Sequence, residues 1–245
     1  MKKLTGMATI IGAALAAGAL HGCGGGGGGS SIMSTPPPAA TFNLQEGIAG
    51  LVMNGQTASV ALSGTVVDSG TSVPFTGSGT YTLAPGTSTS FNGEGALSQT
   101  QSISATVTAA GVSEPISLSV TDYYATGDDA FLGETGSSEY AVAQAPFQYP
   151  TTVMVGSSGT LGTTSDYTDS TMSVSQGTTQ VSYAVTAVSG SSSSVMVAIT
   201  NQVEDPQGNA LETDVTNYNL TDAGVLTFVS ATTQNTSESL QVTAQ

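Results

Sequence analysis

The sequence predicts a mainly β protein, an antiparallel sandwich or a strongly curved, barrel-like sheet of about twelve to fourteen strands with one short N-terminal helix. Three observations carry this. Beyond residue 55 the apolar residues recur with a period of two. Turn residues punctuate them every 8–15 positions or so. No strand–helix–strand spacing appears, which argues against a parallel sheet.

The elements follow in chain order. Lys2-Lys3 precede an apolar stretch from Met7 to Leu20 (MATIIGAALAAGAL). That stretch is shorter than the roughly 20 residues of a membrane span and fits the core of a secretory signal. Leu20-His21-Gly22-Cys23 follows. Gly24–Gly29, Ser30-Ser31 and Pro36-Pro37-Pro38 then form a tether, flexible first and stiffer at the prolines. The expected layout is a signal peptide over 1–22, an anchoring Cys and tether over 23–40, and a β-rich body over 41–245. An internal boundary is expected at 145–150, where Pro146 and Pro150 interrupt strand pairing.

The body opens with a helix. Asn43 and Glu46 stand as in a capping box, with Asn in the place of the usual Ser or Thr. Leu44, Ile48, Leu51 and Val52 share one helical face, and Asn54-Gly55 supplies a stop. Gly47 and Gly50 each weaken this helix by about 1 kcal/mol. Strands are then expected around Val60–Leu62, Val73–Phe75, Tyr81–Leu83, Ile103–Val107, Ile116–Tyr124, Val181–Ala187, Val195–Ile199, Tyr218–Leu220, Leu226–Phe228 and Leu240–Val242. Turns are expected at Asp68-Ser69-Gly70, Ala84-Pro85-Gly86, Ala110-Gly111, Asp205–Gly208 and Asp222-Ala223-Gly224. Gly77, Gly79, Gly93 and Gly95 are read as bends or bulges in a curving sheet.

Composition excludes several functions. The chain has 17 acidic side chains, two basic ones, one His and one Cys, and the last four are Lys2, Lys3, His21 and Cys23. Beyond Cys23 no Ser-His-Asp or Cys-His machinery can be built. The usual N and S ligands of zinc, copper or haem are missing there. Without cationic side chains, nucleic-acid and phosphate binding are not expected. No cofactor is expected, and the body is read as non-enzymatic.

Leu20-His21-Gly22-Cys23 resembles the lipobox of bacterial lipoproteins, although His21 stands where a small or aliphatic residue is usual. The resemblance implies cleavage before Cys23 and lipidation of that residue, and Gly24 after it implies the outer membrane. The poly-Gly tether, the helix Leu44–Met53 and the segments Pro150–Leu161 and Tyr167–Thr171 together resemble a loose group of proteobacterial outer-membrane lipoproteins of uncharacterised function. This resemblance implies envelope location and membrane partnership through the anchor, and identifies no catalytic residue.

Three candidate sites remain. Asp128, Asp129 and Glu134, flanked by Asp122 and Glu139, are the densest acids, and oxygen ligands on a loop suit Ca²⁺. Their spacing matches no known calcium motif, so a solvated loop is the preferred reading. Asp166 and Asp169 are the pair that a carboxylate glycosidase would need, against the simpler reading of a turn with solvated acids. Tyr123-Tyr124 and Phe147-Gln148-Tyr149 are read as core, with a pocket wall as the alternative. The expected role is therefore structural, surface or binding. An apolar-ligand carrier built in a curved sheet and a glycosidase are the alternatives.

Overall fold

The computed structural model describes residues 40–245 apart from Ser69 and Ser237. The expected signal, Cys23 and most of the tether lie outside these residues. The helix α1 (Leu44–Asn54) precedes β1 (Gln56–Asp68), β2 (Thr71–Leu83), β3 (Thr87–Phe91), β4 (Glu94–Ala109), β5 (Val112–Ala125) and β6 (Phe131–Thr135). There follow β7 (Tyr140–Phe147), β8 (Ser158–Tyr167), β9 (Ser175–Ala187), β10 (Ser194–Glu204), β11 (Ala210–Thr221), β12 (Leu226–Asn235) and β13 (Ser239–Ala244). From β4 onward each strand pairs with the next along the chain, β1 pairs with both β2 and β13, and β2 pairs with β4. Twelve strands thereby close into an antiparallel barrel, and β3 is an extra strand. Closure removes the sheet edges that an open arrangement would expose. It also decides between barrel and sandwich.

Ala84-Pro85-Gly86 is a break within one long strand rather than a turn between neighbours. Phe75–Leu83 pair with Ala109–Gln101, and Thr87–Phe91 continue along β4 over Ser98–Glu94. Pro85 has no N–H to donate, and the Gly86 N–H turns to the Val52 carbonyl at the end of α1, at 2.7 Å. Asn92 and Gly93, at φ 51° and 85°, make the two-residue hairpin turn that needs two positive φ angles. Gly93 is therefore a hairpin tip, not a bend. Gly79, read as a bend or bulge, lies instead where β2 and β4 approach closely. A Cβ there would lie 2.2 Å from the Ser104 carbonyl oxygen.

The alternation sorts the side chains. Val60, Leu62, Phe75, Tyr81, Ile103, Val107, Val195, Val197, Ile199, Tyr218, Leu220, Phe228 and Val242 are buried in one core cluster. The outward positions, such as Ser72, Thr76, Ser78, Thr80, Ser104, Thr106, Ser117 and Ser119, are exposed. A smaller cluster of Phe91, Ala96, Leu132 and Tyr140 packs with Tyr123. Phe91 stacks on Tyr123 at 4.4 Å.

The helix plugs the end at which the chain enters. Leu44, Ile48, Leu51 and Val52 are buried. Asn43 Oδ1 accepts the Glu46 N–H at 3.0 Å, as the capping pattern predicts. Phe42 and Val153 exchange backbone hydrogen bonds of 2.8 and 2.9 Å, which ties the entering chain to the 148–157 loop. The expected boundary at 145–150 spans the end of β7 and the start of this loop, and the strands on both sides belong to the one sheet. The turns after β1, β4, β6, β8, β10 and β12 gather at the opposite end of the barrel.

Candidate functional site: a carboxyl belt inside the barrel

Polar residues interrupt the apolar lining part-way along the barrel. Gln99, Gln101, Asp122, Glu134, Thr164, Asp166, Thr179, Asn201, Asp214, Thr216 and Thr233 are all buried. The pairing places them as neighbours. Gln99 lies opposite Asp122, Asp122 opposite Glu134, Glu134 opposite Ala141 and Ala141 opposite Asp166. Asn201 lies opposite Asp214, and Asp214 opposite Thr233. The acids point inward because they keep phase with the core. Asp122 falls between Val120 and Tyr124, and Asp214 precedes Thr216, Tyr218 and Leu220, all buried.

Hydrogen bonds hold part of the belt. Gln101 Nε2 donates to Asp122 Oδ2 at 3.2 Å, and the Tyr81 hydroxyl donates to Gln101 Oε1 at 3.3 Å. The Thr164 and Thr179 hydroxyls donate to the two Asp166 oxygens at 2.6 and 2.7 Å. Asn235 Nδ2 donates to Glu212 Oε2 at 3.0 Å. Asp122 Oδ1 and both oxygens of Asp214 receive no well-formed hydrogen bond, although Asp122 is only 1 % exposed and Asp214 is 0 % exposed.

Burial in the absence of a cation raises every acid of the belt. Burial pushes Asp122 up to about 7, against hydrogen bonds from Glu134 and Gln101. Glu134 is driven well above the usual carboxylate range by burial and then by the charges of Glu139 and Asp122. Glu139, in the turn after β6, is pushed up to about 8 by burial, then by Asp166 and Glu212. Burial also raises Asp166 and Glu212, opposed by their Thr and Asn donors. Asp214 is raised well above its ordinary value by burial, then by Glu212. These six carboxyls sense one another, and beyond residue 23 the chain has no Lys, Arg or His to neutralise them. Among the described residues no three His, Cys, Asp or Glu groups are placed to hold a metal ion. The proton is the counter-ion this chain offers them.

The interior is packed around the belt. A cavity of about 30 Å³ is lined by Glu134, Glu139, Thr164, Thr179 and Asn201 with Phe147 and Ile199. Two further voids, near Asp122 and near Thr233, measure about 10 and 20 Å³. Voids of this size have room for a water or two at most, whereas a carried ligand needs about 300 Å³ or more. A larger open groove of about 340 Å³ runs against β1, β11, β12 and β13, lined by Ser63, Thr213, Thr232, Gln234 and Gln241 without a charged side chain.

The structure separates the acids that the sequence grouped. Asp128 is exposed and Asp129 half-buried at the turn after β5, while Glu134 points into the barrel. Asp128 is engaged by the Ala130 N–H at 3.2 Å and by Gln148 Nε2 at 2.7 Å. The trio therefore does not form one calcium loop. Asp166 is buried, but Asp169 sits in an exposed turn and accepts from Thr171, so they do not face each other across a cleft. Tyr124, Phe147 and Tyr149 are core, as expected, and Tyr123 belongs to the smaller cluster. Sequence reasoning missed the belt itself. Its signal was acids in phase with inward apolar residues, as at 120-122-124 and 214-216-218.

Comparison with known proteins adds little beyond this geometry. No known protein family matches the chain, and no curated protein matches it. A putative exported protein with a YmcC-like fold from Bacteroides fragilis is 10 % identical, with a TM-score of 0.33 over 84 % of this chain and 98 % of that one. A putative outer membrane lipoprotein-sorting protein domain from Vibrio parahaemolyticus is 10 % identical, with a TM-score of 0.27 over 78 % and 83 %. A porin-like protein from Bacteroides uniformis is 9 % identical, with a TM-score of 0.25 over 77 % and 96 %. Likeness at this level carries no function across, so the reading rests on this chain's own residues.

Proposed function

We propose that the protein is an exported, lipid-anchored envelope protein: a filled barrel on a tether from Cys23, with a non-enzymatic structural, surface or binding role. One observation carries the reading. The chain enters at the end plugged by α1, so a tether running back from Ala40 leaves the opposite set of hairpin turns facing away from the anchor. The outward faces of the strands support this. They carry mainly Ser, Thr, Asn and Gln, with scattered apolar residues such as Val67 and Leu211, where a membrane-embedded barrel needs an apolar band about 25 Å tall. Among the described residues no helix is long and apolar enough to cross a membrane.

Among the described residues the voids beside the belt, of about 30 Å³ or less, weigh against an apolar-ligand carrier, and the separation of Asp166 from Asp169 weighs against the glycosidase. The test is Cys23→Ser, expressed in a Gram-negative host with a labelled fatty acid. Wild type should carry label and fractionate with the outer membrane. The variant should lose the label and either become soluble or keep its signal peptide. Normal processing with membrane retention in the variant refutes the anchor.

A further inference from the structure

We infer that the turn Gly136–Glu139 between β6 and β7 is a proton-held flap: Glu139 in its acid form closes over the carboxyl belt, and its ionisation lets the turn lift into water. The inference goes beyond anchoring and is independent of it.

The geometry supplies each part. Glu139 lines the 30 Å³ cavity together with Glu134, Thr164, Thr179 and Asn201. It is half-buried, so a small movement takes its carboxyl to solvent. The turn is closed by the Gly136 N–H donating to the Glu139 carbonyl at 2.9 Å. The wall beside it is thinly paired. β6 has five residues, its pairing slips at Phe131/Gly133 against β7, and β7 meets β8 only over Tyr140–Ala143.

The groups that face Glu139 are all acids or neutral. They are Glu134 from β6, Asp166 from β8, and Glu212 and Asp214 from β11, with Thr164, Thr179 and Asn201 between them. No cation comes from any packed element, since none exists beyond Lys3 apart from His21. A charge on Glu139 is thus unfavourable inside and favourable outside. Glu134, Asp166 and Asp214, buried and fixed on strands, have no comparable exit.

The test is amide hydrogen exchange on the full-length protein in chelator, from pH 6 to pH 9.5, corrected for intrinsic exchange. Protection over residues 136–143 should fall about tenfold or more between pH 6 and about 8 and level off above that, while the amides of Val195–Ile199 in β10 stay protected. Glu139→Gln should abolish the transition. Asp166→Asn should lower the pH at which it levels off, because removal of a neighbouring charge makes Glu139 easier to ionise. The inference fails if protection does not change with pH, if Glu139→Gln shows the same transition, or if β10 loosens together with the turn.

Discussion

Asp214 shows how a single residue sets the pH response. A carboxyl buried among other acids keeps its proton to higher pH in the folded barrel than in the unfolded chain. Its folded pKa lies above its unfolded one, as for Asp122, Glu134 and Glu139. The native state therefore binds more protons, and stability falls as pH rises. The contribution is complete below about pH 4 and is lost progressively up to pH 7–8 and beyond. The melting temperature, followed by circular dichroism, should be higher at pH 5 than at pH 8.5. Asp214→Asn removes one titrating group at nearly constant shape. It should melt above wild type at pH 8.5 and lose that advantage at pH 4.5. Melting independent of pH over this range would show that the belt is neutralised by something other than protons.

At the scale of the element, the helix joins two kinds of glycine. Gly47 faces the barrel, where a Cβ would meet Leu220 Cδ1 at 3.0 Å and Leu226 Cβ at 3.4 Å. Gly50 faces open space. Gly50→Ala should stabilise the protein by about 1 kcal/mol through helix propensity alone. Gly47→Ala gains the same propensity but must displace β11 and β12 side chains, at a cost of about 1–3 kcal/mol. Urea unfolding of the two variants should separate them in sign, and equal stabilisation would mean that the plug does not press on the wall. The helix itself was legible, because capping and a 3.6-residue period are local. The fate of Ala84-Pro85-Gly86 was not. Those residues read as a turn, and only the pairing of β3 along the same side of β4 makes them a break in one long strand.

For the whole molecule, closure depends on the last strand. β13 joins β1 and β12 through the pairs from Val60–Ala244 to Thr65–Ser239 and from Ser230–Thr243 to Gln234–Ser239. Deletion of residues 239–245 leaves two open edges, which invite pairing between chains. The truncated protein should lose cooperative unfolding and associate, as read by sedimentation velocity. A monomeric, cooperatively melting product would show that the barrel does not need this seam. The sequence by itself determined the antiparallel class, the N-terminal helix and the absence of any base to match the acids, because alternation, turn chemistry and composition are carried by neighbours along the chain. Only the tertiary structure decided that the sheet closes, that Glu134 parts from Asp128 and Asp166 from Asp169, and that Asp122, Glu134, Asp166 and Asp214 share one interior. Which face of a strand becomes the inside depends on pairing between residues far apart in sequence, such as Val60 with Ala244. An acid is solvated or buried according to that face.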